Sequence, residues 1–261
     1  MCCEHAGPRH PARYRQCWTA AGRPARDGTT LEARKRRAFA AILRHGLLMA
    51  RSAPQPAPIA PRLYVRVKVT DDAQATHAAD ALGRAGTVVD IAAVLLRPVG
   101  ETGETLSGRL RPLVAASHAI GAACLVEGNA ALAAAIEADG AHLDGTTALA
   151  GALPALRPHG IAGVGGLRTK HDAMTAAEAG ADYLMFGEPD AQERRPPFDA
   201  TLERTEWWVQ LFEPPCVAYA RTLEEVGALA SVGADFIAVD EALLDEAGAP
   251  ALGAALAIGP A

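Results

Sequence analysis

The sequence predicts a (β/α)8 TIM barrel that follows a basic N-terminal extension. Short apolar runs alternate with Ala-rich helical segments after residue 62, as is typical of parallel strands covered by helices. An Asp beside a Gly or Ala recurs just before three of these runs, at Asp139, Asp182 and Asp235. No GxGxxG motif follows the first run, so a closed barrel is favoured over an open dinucleotide-binding sheet.

Eight apolar runs supply the strands of the predicted barrel. Gly, Pro or polar residues bound the runs, and a helical segment leads from each run to the next. The predicted strands are residues 63–69, 90–96, 122–126, 141–143, 161–164, 183–186, 216–219 and 236–239. Because a barrel of this type commonly uses a chain of this length as a single domain, one domain over residues 62–261 is expected.

The segments between the strands have the apolar spacing of amphipathic helices. Leu106, Leu110 and Leu113, for example, recur at intervals that place them on one helical face. The predicted helices are residues 72–84, 105–120, 129–138, 146–156, 172–179, 202–212 and 223–230, with a last weak helix over 248–261. Strands and helices therefore alternate through the whole domain, which is the pattern of a (β/α)8 fold.

Charge divides the chain into two unlike parts. Residues 1–62 hold 12 Lys and Arg against 3 Asp and Glu, whereas the remaining residues hold 13 against 27. Residues 1–61 are predicted to be a disordered basic extension and Pro-rich linker, with one helical stretch near 29–48. The alternatives are a nucleic-acid or membrane-surface arm, or a true start at Met49. Basic tails without interleaved aromatic residues are weak signals, so no nucleic-acid or membrane partner is expected.

The cysteines and the lack of targeting signals predict a cytoplasmic protein. The five cysteines show no CxxC spacing, and Cys124 and Cys216 lie in apolar runs. No signal peptide is recognisable, and no run approaches the roughly 20 apolar residues that span a bilayer. Trp207 and Trp208 predict either packing of the sixth helix on the barrel or a dimer face, so a homo-oligomer is possible.

Functional residues of such barrels gather at the carboxyl ends of the strands, so the loops after the strands hold the candidates. Gly165 and Gly166 would present free backbone N–H groups to an anion at the start of the fifth helix. The candidates for binding a phosphate or substrate are Gly165, Gly166, Arg168, Lys170, Gly187 and Arg195. A phosphorylated small molecule is the expected ligand. In the alternative interpretation the glycines only turn the chain and the charges are solvated.

Carboxylates and histidines in the same region suggest further roles. Glu127 and Asp144 would hold Mg²⁺ through oxygen ligands, which a diphosphate substrate would require. His171 and Glu188 are the candidates for a catalytic base. His142 lies inside a strand and is interpreted as a core histidine.

Three stretches, residues 138–143, 163–165 and 179–183, resemble the thiamine phosphate synthase family, including its thiazole tautomerase branch. The resemblance extends over about residues 63–246. It implies a (β/α)8 barrel that joins a pyrimidine diphosphate to a thiazole phosphate, with Mg²⁺ and with release of diphosphate.

The functional residues of that family are only partly present in this chain. Its QLREK motif after the second strand falls on residues 95–99, where Arg97 is kept as a catalytic candidate but Gln and Lys are lost. Its metal-binding Asp after the third strand is lost unless Glu127 substitutes, and its second Asp aligns with Thr147, near Asp144. Its PTxTK loop is replaced by residues 190–195, with a cation kept at Arg195.

Two glycine and serine positions also depart from the family pattern. The Ser after the fifth strand is replaced by Gly165, and the Gly-Gly phosphate turn after the seventh strand is absent at residues 219–222. The resemblance in fold is therefore stronger than the resemblance in activity.

Three functions are compatible with these residues. The first is a divergent thiamine phosphate synthase that uses Glu127 or Asp144 for Mg²⁺ and the glycine pair for phosphate. The second is a thiazole phosphate tautomerase, or another proton-transfer enzyme, with His171 or Glu188 as base and no metal. The third is a non-catalytic barrel that binds a phosphorylated thiamine-pathway ligand. Turnover and metal dependence distinguish the three.

Overall fold

The structure is a computed structural model that describes residues 60–100, 102–244 and 248–257. The predicted N-terminal extension, with its helical stretch near residues 29–48, lies outside the described residues apart from its last two positions. Within the described residues, no helix is long and apolar enough to cross a membrane.

Eight parallel strands close into one barrel in chain order, with the last strand paired to the first. The strands are β1 (Arg62–Val69), β2 (Ile91–Pro98), β3 (Ala123–Glu127), β4 (Gly140–Asp144), β5 (Ile161–Gly165), β6 (Tyr183–Phe186), β7 (Cys216–Tyr219) and β8 (Phe236–Asp240). All eight predicted strands are present, with ends that differ by no more than two residues. The predicted (β/α)8 fold is confirmed.

Helices alternate with the strands around the outside of the barrel. They are α1 (Asp72–Ala85), α2 (Glu104–Ala119), α3 (Ala130–Ala135), α4 (Gly145–Leu156), α5 (Lys170–Ala179), α6 (Phe198–Leu211), α7 (Leu223–Ser231), a 3-10 helix (Glu241–Leu244) and α8 (Gly248–Leu256). Side-chain caps define several starts. Thr169 and Asp172 form a reciprocal capping box at α5, and Asp71 accepts the Gln74 N–H at α1.

The Asp that recurs before a strand makes the same kind of hydrogen bond in three places. Each carboxylate lies just before an even-numbered strand and accepts a backbone N–H from the preceding odd-numbered strand. The pairs are Asp139 with Cys124, Asp182 with Ala162, and Asp235 with Cys216, at 2.8, 2.7 and 2.8 Å. The repeat therefore marks pairs of strands, which explains why it returns after two βα units rather than after every one.

Strand residues alternate between an outer and an inner core. On β1, Leu63, Val65 and Val67 are buried in the cluster that joins the strands to the surrounding helices. Tyr64 belongs to a separate cluster inside the barrel, together with Leu95 and other inward residues. This inner cluster is apolar and aromatic at mid-barrel, and the inward positions become polar towards the carboxyl ends of the strands.

The aromatic group on α6 packs against the barrel. Trp208 is fully buried, stacks on Phe212 at 4.2 Å between ring centroids, and donates its indole N–H to the Pro214 carbonyl at 2.7 Å. Phe186 of β6 meets the same indole edge-on. The interpretation of Trp208 as packing of the sixth helix on the barrel is confirmed, and a dimer face stays a prediction.

Candidate active site

The inward side chains at the carboxyl ends of the strands form a polar ring, here called the mouth layer. It consists of Arg66, Lys68, Arg97, Glu127, His142, Asp144, Glu188, Tyr219 and Asp240. Strands β1, β2, β3, β4, β7 and β8 contribute, and Glu188 comes from the loop directly after β6. The inward positions of β5, Gly163 and Gly165, are glycines. The lining of the barrel thus changes from apolar to ionisable at the end where TIM barrels place their sites.

Cations of β1 and β2 dominate one half of this layer, here called the cationic half. Arg97, with 13% of its side chain exposed, donates through Nε to both carboxylate oxygens of Glu127 at 3.1 Å. Lys68 lies at the end of the neighbouring strand, where its backbone pairs in register with Arg97. Two basic side chains therefore meet at one point on the rim, which favours an anionic ligand there.

A carboxylate from the opposite side of the barrel already approaches these two cations. Glu193, in the loop between β6 and α6, places Oε1 3.7 Å from Lys68 Nζ and 3.8 Å from Arg97 Nη1. The loop holds its shape through Asp190, whose side chain accepts the backbone N–H groups of Gln192 and Arg194. Glu193 thus lies where an anionic ligand of the two cations would be attracted.

The other half of the mouth layer, here called the carboxylate half, is formed by Asp144 and Glu188 around the end of β5. Glu188 Oε1 accepts the Gly166 N–H at 2.5 Å. Burial raises the pKa of Glu188 above its usual range; the Gly166 N–H opposes this shift and the nearby Asp144 charge adds to it. The Glu188 carboxyl group therefore keeps its proton to a higher pH than an ordinary glutamate does.

Glycine is required at the end of β5 because side chains occupy the space beside it. A Cβ on Gly165 would collide with the Glu188 carboxylate and lie 2.7 Å from His142 Nε2. Gly166 has a φ of 65°, and a Cβ there would collide with the Asp144 carboxylate. The space beside the Gly165 and Gly166 backbone, where a phosphate was expected, is thus occupied by the carboxylates of Glu188 and Asp144.

The expected free N–H at the start of the fifth helix is not found. Gly166 donates its N–H to Glu188, and α5 begins only at Lys170, after the Thr169 cap. The carboxylate takes the place next to the amide because it is close to the backbone and accepts strongly. Phosphate binding by Gly165 and Gly166 stays a prediction, and it requires Glu188 to yield this hydrogen bond.

A hydrogen-bonded line of three side chains runs from His142 of the mouth layer into the barrel interior. His142 Nδ1 is 2.9 Å from the Tyr183 hydroxyl, which is 2.8 Å from the Tyr64 hydroxyl. Burial, followed by the charges of Arg66 and Arg97, lowers the pKa of His142 to about 3. His142 is therefore neutral near pH 7, in agreement with its interpretation as a core histidine.

Arg66 is the most deeply buried cation of the mouth layer. Its side chain is 1% exposed, and Nη1 lies 3.0 Å from Asp240 Oδ1. Its guanidinium carbon lies 4.9 Å from the centroid of the Tyr219 ring, and Tyr219 in turn donates its hydroxyl to Asp240 Oδ2 at 2.5 Å. Residues of β1, β7 and β8 thus form one connected group in the barrel lumen.

Three of the predicted phosphate-binding cations lie outside the mouth layer. Two of them pair with carboxylates of the surrounding helices, and the third is exposed. Arg195 makes two hydrogen bonds to Glu225 of α7, at 2.6 and 2.8 Å, and these bonds hold the Arg195 pKa above its usual range. Lys170 pairs with Glu203 of α6 at 3.3 Å, and Arg168 is exposed. The structure does not bring them into contact with Arg97 or Lys68, and their role in phosphate binding stays a prediction.

The last two candidates are not members of the mouth layer. His171 is exposed in the first turn of α5. Gly187 has a φ of 86°, and its missing Cβ makes room for Thr201 of α6. The structure therefore assigns Gly187 a packing function, and its role in binding a substrate stays a prediction.

The predicted magnesium ligands Glu127 and Asp144 have different neighbours in the mouth layer. Glu127 is held by Arg97, whereas Asp144 lies beside Gly166 in the carboxylate half. Across residues 60–100, 102–244 and 248–257, no three His, Cys, Asp or Glu side chains are placed to share a metal ion. Mg²⁺ is usually held by one or two carboxylates together with substrate phosphates, so its binding at Glu127 and Asp144 stays a prediction.

Sequence reasoning missed Arg66, Tyr64 and Tyr183 as residues of the barrel interior. One signal was available, because Tyr64, Arg66 and Lys68 alternate with apolar residues along β1 and so share its inward face. For Arg66, the partner Asp240 is 174 positions away along the chain, and no local pattern links the two residues.

The sequence matches the family model described as thiamine monophosphate synthase over residues 65–243, from β1 to the 3-10 helix after β8. The chain belongs to the thiamine monophosphate synthase family. The match covers the barrel from the fourth residue of β1 onwards and includes every residue of the mouth layer.

Relatives agree with this family assignment, and a solved structure agrees with the fold. The chain is 35% identical over 185 residues to a thiamine-phosphate synthase of Rhodospirillum centenum, with 68% of this chain and 86% of the relative covered. It is 39% identical over 139 residues to a thiamine-phosphate synthase of Erythrobacter litoralis. That alignment covers 51% of this chain and 64% of the relative. A thiamine phosphate pyrophosphorylase from Pyrococcus furiosus superposes with a TM-score of 0.61 at 20% identity, over 75% of this chain and 95% of that structure.

These matches confirm the predicted resemblance and the predicted role in thiamine biosynthesis at the level of the family. The names of the relatives support the synthase interpretation rather than the tautomerase or the non-catalytic barrel. Within the family pattern, Arg97 lies where the resemblance places it, at the mouth of the barrel.

Proposed function

We propose that this chain catalyses the synthesis of thiamine phosphate from a pyrimidine diphosphate and a thiazole phosphate. One observation carries the proposal: Arg97, the residue kept from the family's motif after the second strand, lies in the mouth layer with Lys68 beside it. The match to the family model over residues 65–243 supports the same reaction.

The cationic half suits the departure of diphosphate. In this reaction the bond between the pyrimidine unit and diphosphate breaks, and diphosphate leaves with the bonding electron pair. The ring nitrogen of the thiazole supplies the electron pair of the new bond to the pyrimidine unit. Negative charge then develops on the leaving oxygen, and fixed cations stabilise such charge best where water is partly excluded. Arg97 is mostly buried and held by Glu127, so its guanidinium needs little reorganisation to interact with that oxygen.

Mg²⁺ binding at Glu127 and Asp144 stays a prediction, and no step of the proposed reaction is assigned to the metal. The predicted ligand is a phosphorylated small molecule, and the cationic half supports this choice. The cytoplasmic setting is supported by Cys124 and Cys216, which are buried free thiols.

The experiment measures thiamine phosphate formation by the full chain from both substrates, with and without Mg²⁺, and measures diphosphate binding separately. We expect Arg97→Met to weaken diphosphate binding by about 10- to 100-fold, the usual value of a hydrogen bond to a charged group, and to lower turnover with it.

Arg111→Met is the matched control, because Arg111 pairs with Glu104 on the exposed surface of α2 and should change neither quantity. Absence of product with the unaltered chain under all conditions would contradict the proposal. Unchanged diphosphate affinity in Arg97→Met would remove its structural basis.

A further inference from the structure

Arg66 is an exceptional residue for the inside of a barrel. Its side chain is 1% exposed, and it faces the lumen from the middle of β1, between the positions of Tyr64 and Lys68. Burying a guanidinium costs several kcal/mol unless its charge and its N–H groups are satisfied. An apolar residue at this position would form the strand without this cost, since inward residues of such strands are ordinarily apolar.

The known contacts of Arg66 satisfy its charge but only part of its hydrogen-bonding capacity. Nη1 pairs with Asp240, and the planar group lies over the Tyr219 ring. A guanidinium carries five N–H donors. Nε is buried and has no hydrogen-bond partner among the described residues. The side chain therefore retains a donor inside the lumen while its charge is balanced by a carboxylate.

The surroundings of Arg66 decide which kind of acceptor suits this donor. Asp240, 44% exposed, places a negative charge next to the guanidinium and would repel a phosphate. Lys68 and Arg97 also have carboxylate neighbours, Glu127 and Glu193, but they lie nearer the rim, with 49% and 13% of their side chains exposed against 1% for Arg66. Because an anion loses the most hydration energy at the deepest position, an uncharged acceptor is favoured at Arg66 and an anion is favoured at the cationic half.

We propose that Arg66 is a ligand-binding residue whose Nε–H donates to an uncharged acceptor atom, a ring nitrogen, of a heteroaromatic substrate that enters the barrel. The phosphorylated end of the same molecule remains at the rim with Lys68 and Arg97. This division rests on the proposed function, because both substrates of that reaction combine a nitrogen heterocycle with a phosphate or diphosphate. Arg66 then sets how deeply the ring enters, and the Tyr219 ring supports the guanidinium from the other side.

The test separates the two ends of the ligand. The full chain is titrated with the phosphate-free pyrimidine alcohol, the phosphate-free thiazole alcohol and inorganic diphosphate, and binding is followed by calorimetry. For Arg66→Met we expect at least a tenfold loss of affinity for one of the two heterocycles and less than a twofold change for diphosphate.

Arg109→Met provides the matched control. Arg109 is likewise mostly buried, but it pairs with Asp72 and donates to the Thr70 carbonyl, outside the lumen. Its replacement should leave all three affinities unchanged in the folded protein. If Arg66→Met does not fold, Arg66→Lys keeps a positive charge without an Nε–H and should show the same selective loss.

Several results would overturn the proposal. A folded Arg66 variant with unaltered heterocycle affinity would make Arg66 a structural residue, and so would an unaltered chain that binds neither heterocycle. An equal loss of affinity for the heterocycle and for diphosphate would indicate that Arg66 binds anions rather than a ring nitrogen. Selective loss in a protein that forms no thiamine phosphate would support the binding role and contradict only the proposed reaction.

Discussion

The cationic half and the carboxylate half of the mouth layer are built by different means. In the cationic half, long side chains from β1 and β2 reach the rim and meet Glu127 and Glu193, with several ångströms of adjustable stem between backbone and charge. In the carboxylate half, the backbone itself lies in contact with carboxylates, because β5 has glycines at its inward positions. Substitutions should therefore affect binding first in the cationic half and stability first in the carboxylate half.

The largest expected effect tests the stability side of this comparison. Gly165→Val would push a branched side chain into the Glu188 carboxylate and His142, neither of which has space to withdraw without losing a hydrogen bond. We expect a loss of about 3 kcal/mol or more in the free energy of unfolding, measured by urea denaturation.

Gly151→Ala is the control for that experiment. Gly151 lies in α4 with open space around its Cα, so a methyl group there should be neutral or stabilise the helix by up to about 1 kcal/mol. If Gly165→Val unfolds at the same urea concentration as the parent chain, then the lack of space beside Gly165 does not limit the stability of the folded protein.

A second prediction concerns the charge of the carboxylate half. Because the folded-state pKa of Glu188 is raised, the folded protein binds more protons than the unfolded chain just above the usual Glu pKa of 4.5. Stability contributed by this group is therefore lost as pH rises from there through the folded-state pKa. Glu188→Gln keeps an acceptor for the Gly166 N–H and removes the titration.

The melting temperature of Glu188→Gln should accordingly be lower than or equal to that of the parent at pH 4. Near pH 7 it should be higher than that of the parent. Thermal melts across this range measure the difference between the two proteins. A difference that does not change with pH would mean that the Glu188 carboxyl is no harder to ionise in the folded protein than in the unfolded chain. Glu203→Gln, at an exposed carboxylate on α6, supplies the reference.

The smallest expected effect lies in the cationic half. Glu193→Gln removes the carboxylate that approaches Lys68 and Arg97, so diphosphate should bind about two- to fivefold more tightly, as expected for the loss of a half-exposed competing charge. The gain should shrink at high salt. Titration of diphosphate at two ionic strengths measures both, and weaker binding in this variant would mean that Glu193 assists the ligand instead of competing with it.

Much of the barrel was predictable because its signals are local. The apolar runs, the helix caps and the Asp residues that tie strand pairs act over short stretches of chain, so their spacing in the sequence reflects their structure directly. The mouth layer was predictable only as a set of loops to inspect. Arg97 and Glu188 lie in the mouth layer, whereas Arg168 lies in the loop after β5 and Lys170 and His171 lie in the first turn of α5. Their functional roles stay predictions.

The sequence by itself determined the order of strands and helices, the closure into a barrel and the end of the barrel that carries the site. Only the tertiary structure decided that Gly165 and Gly166 accommodate Asp144 and Glu188, and that Arg66 finds Asp240 across 174 positions. The physical reason is that strand formation depends on neighbouring residues, whereas a hydrogen bond or a collision depends on distances set by closing the whole sheet.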